Sequence, residues 1–194
     1  MSSNDVSASP IDECEWARAL STRAGMVRVE TTSVVDASEE LRTDPDHLFL
    51  SMCRQGLLRD LRFLWDPVER EYHVILALGS DVAGHPRITH GGLTAATVDE
   101  TTGCMVLEGK RAGILPPGKA FTAHLEIDYR APLPVGIVVL CTAKVDKTER
   151  RKIFTSATLR DGPEGTVYAE GKALYVTVRD PAENGGDKPA EKTK

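Results

Sequence analysis

The sequence predicts an α+β fold, a curved antiparallel sheet wrapped around one long central helix. Three observations predict it. A single long helical stretch, from about Gly91 to Glu108, lies mid-chain and opens on His90-Gly91-Gly92. Two strand-like segments precede it: Leu57–Trp65, where bulk interleaves with charge, and Glu71–Leu78, which alternates Tyr72, Val74, Leu76 and Leu78 with His73, Ile75 and Ala77. Four long β-rich runs follow it: Ala120–Tyr129, Val135–Val145, Arg151–Arg160 and Thr166–Arg179.

Taken in order, residues 1–12 are Ser-rich and polar and are expected to be disordered. Glu13–Thr22 reads as a short helix carrying Trp16 and Leu20, and Met26–Val35 as a strand or extended arm. Asp44-Pro45-Asp46 is a helix start, giving a helix over Pro45–Arg54 that Gly56 ends. Asp66-Pro67 turns the first two strands into a hairpin. Residues 79–89, with Gly84 and Pro86, and residues 109–119, with Gly109, Gly113, Pro116, Pro117 and Gly118, read as loops. Ala120–Tyr129 places Phe121, Ala123, Leu125, Ile127 and Tyr129 on one face, and Thr122, His124, Glu126 and Asp128 on the other. Gly171 is a candidate bulge in the last strand. The domain is expected over residues 41–179, after an N-terminal extension (1–40) and before a polar tail (180–194).

The chain has 194 residues, 41% hydrophobic and 27% charged, which suits one globular domain with a real core. A net charge of -5 argues against general nucleic-acid binding but leaves room for a local basic site. No apolar run approaches the ~18 residues of a transmembrane helix. Cys14, Cys53, Cys104 and Cys141 match no zinc spacing. They are expected to be reduced thiols in an intracellular, cytoplasmic protein, with a mitochondrial address left open. No metal and no cofactor is expected.

Asp99 is the residue that needs explaining. It lies nine positions after His90 in otherwise small or apolar company. By itself it reads as a surface acid beside Glu100, and His90 as a capping or solvated histidine. The pattern changes both readings. His90-Gly91-Gly92-Leu93-Thr94-Ala95-Ala96-Thr97-Val98-Asp99 resembles the His-Gly-Gly…Asp signature of hotdog-fold acyl-CoA thioesterases of the phenylacetate-thioesterase and thioesterase-superfamily-member type. Thr122–Pro132 resembles that family's next strand, and Asp146–Phe154 its strand-turn-strand with a basic pair, so the likeness runs from about residue 45 to 179.

The chemistry of a thioester fits this resemblance. Backbone N–H groups at a helix start are unpaired and carry the positive end of the dipole. Gly91 and Gly92 let a substrate carbonyl approach them, so Gly91 N–H is assigned as oxyanion donor. Asp99 is assigned as general base or direct nucleophile. The resemblance further implies that Thr122 supports the acid or the water, and that His90 orients the carbonyl or the water. It makes Asp128, Arg130, Arg151 and Lys152 the contacts to the nucleotide end of coenzyme A. One departure stands out: where relatives often carry an Asn before the histidine, this chain has Gly84 or His85, so either His85 substitutes or this part of the site is altered.

At ~1.5 Å per residue, Asp99 lies about 13 Å along the axis from His90, so one helix cannot bring both to one carbonyl. Two helices related by a two-fold axis can. A homodimer, or a dimer of dimers, with composite sites is therefore expected, as the family resemblance also implies. The functional expectation is an acyl-CoA thioesterase acting on an acyl-CoA substrate, with no nucleic-acid partner and no membrane span. The alternatives are a non-catalytic acyl-CoA-binding or regulatory hotdog protein, and a hotdog dehydratase. The last pairs its Asp with a His about five residues on, where this chain has Cys104.

Overall fold

The computed structural model describes residues 9–29 and 47–178. Thirteen elements run in the order α1 (Pro10–Glu13), α2 (Glu15–Ser21), β1 (Val27–Val29), α3 (Leu48–Arg54), β2 (Leu58–Asp66), β3 (Glu71–Leu78), β4 (Ala83–His85), β5 (Ile88–Thr89), α4 (Gly91–Arg111), β6 (Ala120–Tyr129), β7 (Val138–Glu149), β8 (Lys152–Arg160) and β9 (Val167–Thr177). The large sheet is antiparallel throughout, in the order β1-β2-β3-β7-β8-β9-β6, and β4 and β5 form a separate two-stranded ribbon. The expected α+β architecture is present: α4 packs on one face of this sheet. Among the described residues no helix is long and apolar enough to cross a membrane.

Strand alternation explains the two faces. Tyr72, Val74, Leu76 and Leu78 of β3 join Val139, Cys141 and Ala143 of β7 and Ala157 and Leu159 of β8 beneath Val98, Cys104 and Met105 of α4. The opposite face of β3 presents Ile75 and Ala77, which with Leu64 and Leu140 receive Ile11, Ala17 and Leu20 of α1 and α2. Burial of such side chains stabilises the fold by roughly 1.5–3 kcal/mol each.

Helix α4 is buried although it holds few large apolar residues. Its threonines make this possible by satisfying their own hydroxyls: Thr97 donates to Leu93 O (2.9 Å), Thr101 to Thr97 O (2.6 Å) and Thr102 to Val98 O (2.9 Å). His90 caps its start, and Lys110 and Arg111 complement the dipole at its end.

Several boundaries differ from expectation. The segment over residues 10–12, expected to be disordered, belongs to α1, because Ser9 caps it and Ile11 is fully buried. The expected start of α3 at Pro45 and the arm beyond Val29 lie outside the described residues. The loop expected at 79–89 contains the β4–β5 ribbon. Helix α4 continues past Glu108, because Gly109 acts as a contact and not as a breaker: a Cβ there would lie 2.9 Å from Leu115 Cδ1. Gly171 is not a bulge. It pairs regularly with Ile127 and Ala157, and a Cβ on it would collide with Val98 Cγ1, so glycine here lets α4 sit down on β9. The irregularity of β9 lies at Tyr168, opposite the Leu159–Arg160 step, and β6 has its own bulge between Thr122 and His124.

Candidate active site

That bulge decides which face of the sheet Thr122 joins. Simple alternation would put Thr122 on the face of His124, Glu126 and Asp128, away from α4. The extra residue, Ala123, resets the phase. Thr122 then pairs with Tyr175 of β9 and turns toward the helix, where its hydroxyl donates to Asp99 Oδ1 at 3.1 Å. Tyr175 reaches the same residue from β9, donating to Asp99 O at 3.0 Å with its oxygen 3.4 Å from Oδ1, and it contacts Thr102 Oγ1 at 2.9 Å. Tyr175 is buried, which pushes its phenol pKa up and keeps it a neutral donor. Tyr175 is a contact of Asp99 that the sequence reading missed.

The second candidate element is the start of α4. His90 Nδ1 accepts the Gly92 N–H at 2.9 Å. Nδ1 is therefore the acceptor nitrogen, and Nε2, on the far side of the ring, carries the N–H. Gly92 has its N–H taken by this cap and is not an open donor to a ligand. Gly91 differs: among the described residues no acceptor in this chain engages its N–H. Tyr129 of β6 donates its hydroxyl to Gly91 O at 2.9 Å, with its ring 3.5 Å from where a Gly91 Cβ would stand. This aligns the first turn of the helix with the edge strand.

The β4–β5 ribbon closes against His90. A Cβ on Gly84 would lie 2.9 Å from His90 Cα and 3.0 Å from its Cδ2, so glycine at this position is required by the histidine's placement. His85, its neighbour in β4, is exposed.

The residues expected at the nucleotide end do not form one group in the chain. Lys152 pairs with Val176 and Asp128 with Glu170, and these β9 partners are six residues, roughly 20 Å, apart. Asp128 and Arg130 are also already engaged: Arg130 Nε contacts Glu170 Oε2 at 2.7 Å and its guanidinium contacts Asp128 Oδ2 at 3.2 Å. Arg151 and Lys152 are exposed at the start of β8.

Next to Asp99, Glu100 points the other way. His47 Nε2 lies 3.5 Å and Cys104 Sγ 3.6 Å from its Oε1. Burial, assisted by the nearby Asp99, raises its pKa to about 7, against the lowering effect of the Cys104 contact. Cys104 is buried with its thiol pKa pushed well up, so it is no nucleophile.

Comparison with known proteins agrees with this architecture. Residues 87–168 match the model of the thioesterase superfamily. Acyl-coenzyme A thioesterase THEM4 of Xenopus laevis is 34% identical over 114 residues, covering 59% of this chain and 48% of that protein. THEM4 of Mus musculus is 32% identical over 131 residues, covering 67% and 53%. The chain thus spans about half the length of the curated relatives it matches. Among solved structures, S. sahachiroi AziG superposes with a TM-score of 0.53 at 20% identity, covering 62% of this chain and 92% of that one. E. coli PaaI, from the phenylacetic acid degradation operon, superposes with a TM-score of 0.51 at 14% identity, covering 66% and 84%. Over residues 87–168 the chain matches the thioesterase superfamily, and its sheet and central helix form the hotdog fold.

Proposed function

We propose that this protein is an acyl-CoA thioesterase, hydrolysing an acyl-CoA to the free acid and coenzyme A. The observation that carries the reading is the half-buried Asp99 carboxylate, held by Thr122 from an edge strand and by Tyr175 from the next strand inward. The name of the curated relatives, acyl-coenzyme A thioesterase, supports the substrate class.

In this reaction the carbonyl carbon gains an oxygen and loses sulfur. Asp99 either takes the proton of an attacking water or attacks the carbonyl itself, giving a mixed anhydride that water then hydrolyses. The departing thiolate of coenzyme A takes up a proton. Charge develops on the carbonyl oxygen, and the Gly91 N–H with the positive end of α4 stabilises it. The Nε2–H of His90 aims the carbonyl or the water.

Asp99 and Gly91 of one helix are about 12 Å apart, so the two halves act across two copies. The copies meet along β6, which has one unpaired edge among the described residues and exposes Phe121 (61%) and Tyr129 (57%). Each site then takes Asp99 from one copy and Gly91 from the other, and the assembly is a homodimer or a dimer of dimers. Of the basic residues, Arg151 and Lys152 are the better phosphate contacts, because Arg130 is already bound by two carboxylates.

The test is release of free thiol from a panel of acyl-CoAs. Hydrolysis by the native chain and its loss in Asp99→Asn support the reading. Binding of acyl-CoA without thiol release identifies a non-catalytic binding protein instead.

A further inference from the structure

We propose that the outer face of the sheet carries a second site, a cleft between α2 and strands β3, β7 and β8 that takes the phosphate or carboxylate group of a small metabolite. The cleft has a volume of about 350 Å³ and lies on the face opposite α4 and Asp99. It does not depend on the thioester chemistry.

Register builds its floor. Three cross-strand rows run over this face: Glu71–Lys144–Ser156, His73–Thr142–Thr158 and Ile75–Leu140–Arg160. Ile75 and Leu140 are covered by the N-terminal helices. The middle row is polar and stays open to the cleft, with Arg160 toward one end and Lys144 toward the other. Leu20 of α2 and Arg23 just after it form the wall. The N-terminal helices, which lie outside the stretch that matches the superfamily model, therefore complete a cavity that the sheet alone would not have.

His73 points to a ligand. Its side chain is 6% exposed, and its Nδ1 lies 2.9 Å from Thr142 Oγ1. Its Nε2 is buried and has no hydrogen-bond partner among the described residues, since Glu71 Oε2 stands 4.0 Å away. Such an orphaned buried group costs stability and calls for a partner. Burial, assisted by the nearby Arg23 and against the raising effect of Asp66, lowers the pKa of the ring to about 4, so it is neutral at physiological pH. With Thr142 donating to Nδ1, the ring offers Nε2–H as a donor into the cleft.

Charge sets the sign of the ligand. The lining holds Arg23, Lys144 and Arg160 against one carboxylate, Glu71. Arg23 is committed to Asp66. Lys144 stands across from Glu71 and attracts its carboxylate without closing to ion-pair distance, and among the described residues Arg160 has no ion-pair partner, so two cations flank the row of His73, Thr142 and Thr158. Ser156 is committed to Asp146, its hydroxyl donating at 2.7 Å. An incoming anion repels the flexible Glu71 side chain from Nε2 and takes its place.

The test uses the full chain and heteronuclear NMR of the histidine ring nitrogens. Inorganic phosphate is titrated in one arm and butanoate in the other, at ionic strength held constant with chloride. A saturable shift of His73 Nε2 is expected, and the arm in which it occurs identifies the source of the oxyanion. In the double variant Lys144→Gln/Arg160→Gln, which keeps His73 and changes only cleft-rim side chains, affinity is expected to fall about tenfold or more. No saturable shift in either arm, or equal affinity in the double variant, overturns the proposal.

Discussion

The Thr122 hydroxyl donates to Asp99 Oδ1 at 3.1 Å, from a residue that reaches the helix side of the sheet only because β6 bulges at Ala123. In the proposed mechanism this hydroxyl holds one carboxylate oxygen and leaves the other for chemistry. Thr122→Val is expected to lower kcat for thiol release by about ten- to a hundredfold, and Thr122→Ser to stay within about threefold. Steady-state kinetics with a single acyl-CoA distinguishes the two, and an unchanged kcat in Thr122→Val removes this hydroxyl from the mechanism.

Helix α4 seats on β9 at Gly171, where any Cβ would enter Val98 Cγ1 and lie 3.1 Å from Ile127 Cδ1. Gly171→Ala is expected to destabilise the fold by about 1–3 kcal/mol through overpacking. Adding Val98→Ala is expected to recover part of that loss, since the two side chains compete for one space. Denaturant unfolding of the single and double variants measures the coupling. Strictly additive losses would place the strain elsewhere.

Glu100 gives a pH signature. Its folded pKa is raised from 4.5 to about 7, chiefly by burial. The native chain thus holds this proton more tightly than the unfolded one. The stabilising contribution is full below pH 4.5 and is lost as pH rises through 7. Glu100→Gln, which stays neutral, is expected to gain about 2 kcal/mol over the native chain between pH 5 and pH 8, reduced to the extent that His47 compensates the charge. Thermal unfolding across that range reads it directly, and a gain that does not grow with pH contradicts the burial of this carboxyl.

Much of this was legible before any coordinates. The bounds of β3 and β6, the start of α4 and the position of Asp99 follow from period and spacing. The bulge at Ala123 was not, because Thr122, Ala123 and His124 carry no apolar pattern whose phase could reveal a shift. Tyr175 was not either: it meets Asp99 through strand pairing across the sheet, and pairing is non-local. The extension of α4 past Glu108 was hidden by reading Gly109 as a breaker, when Leu115 folds back onto it. The N-terminal helices read as an appendage because the outer sheet face that they cover appears only once β2, β3 and β7 are side by side.

The composite site is the centre of the account, and co-assembly of two inactive variants tests it most directly. Asp99→Asn removes the carboxylate. Gly91→Pro removes the oxyanion donor, and proline is well tolerated at the first position of a helix. Each alone is expected to abolish thiol release from acyl-CoA. When the two chains are co-expressed, half of the dimers are mixed, and each mixed dimer joins the Asp99 of one chain to the Gly91 of the other in one intact site. Recovery of about a quarter of the native activity is therefore expected. A mixture no more active than its parents, alongside an active native enzyme, would contradict a site shared between two chains.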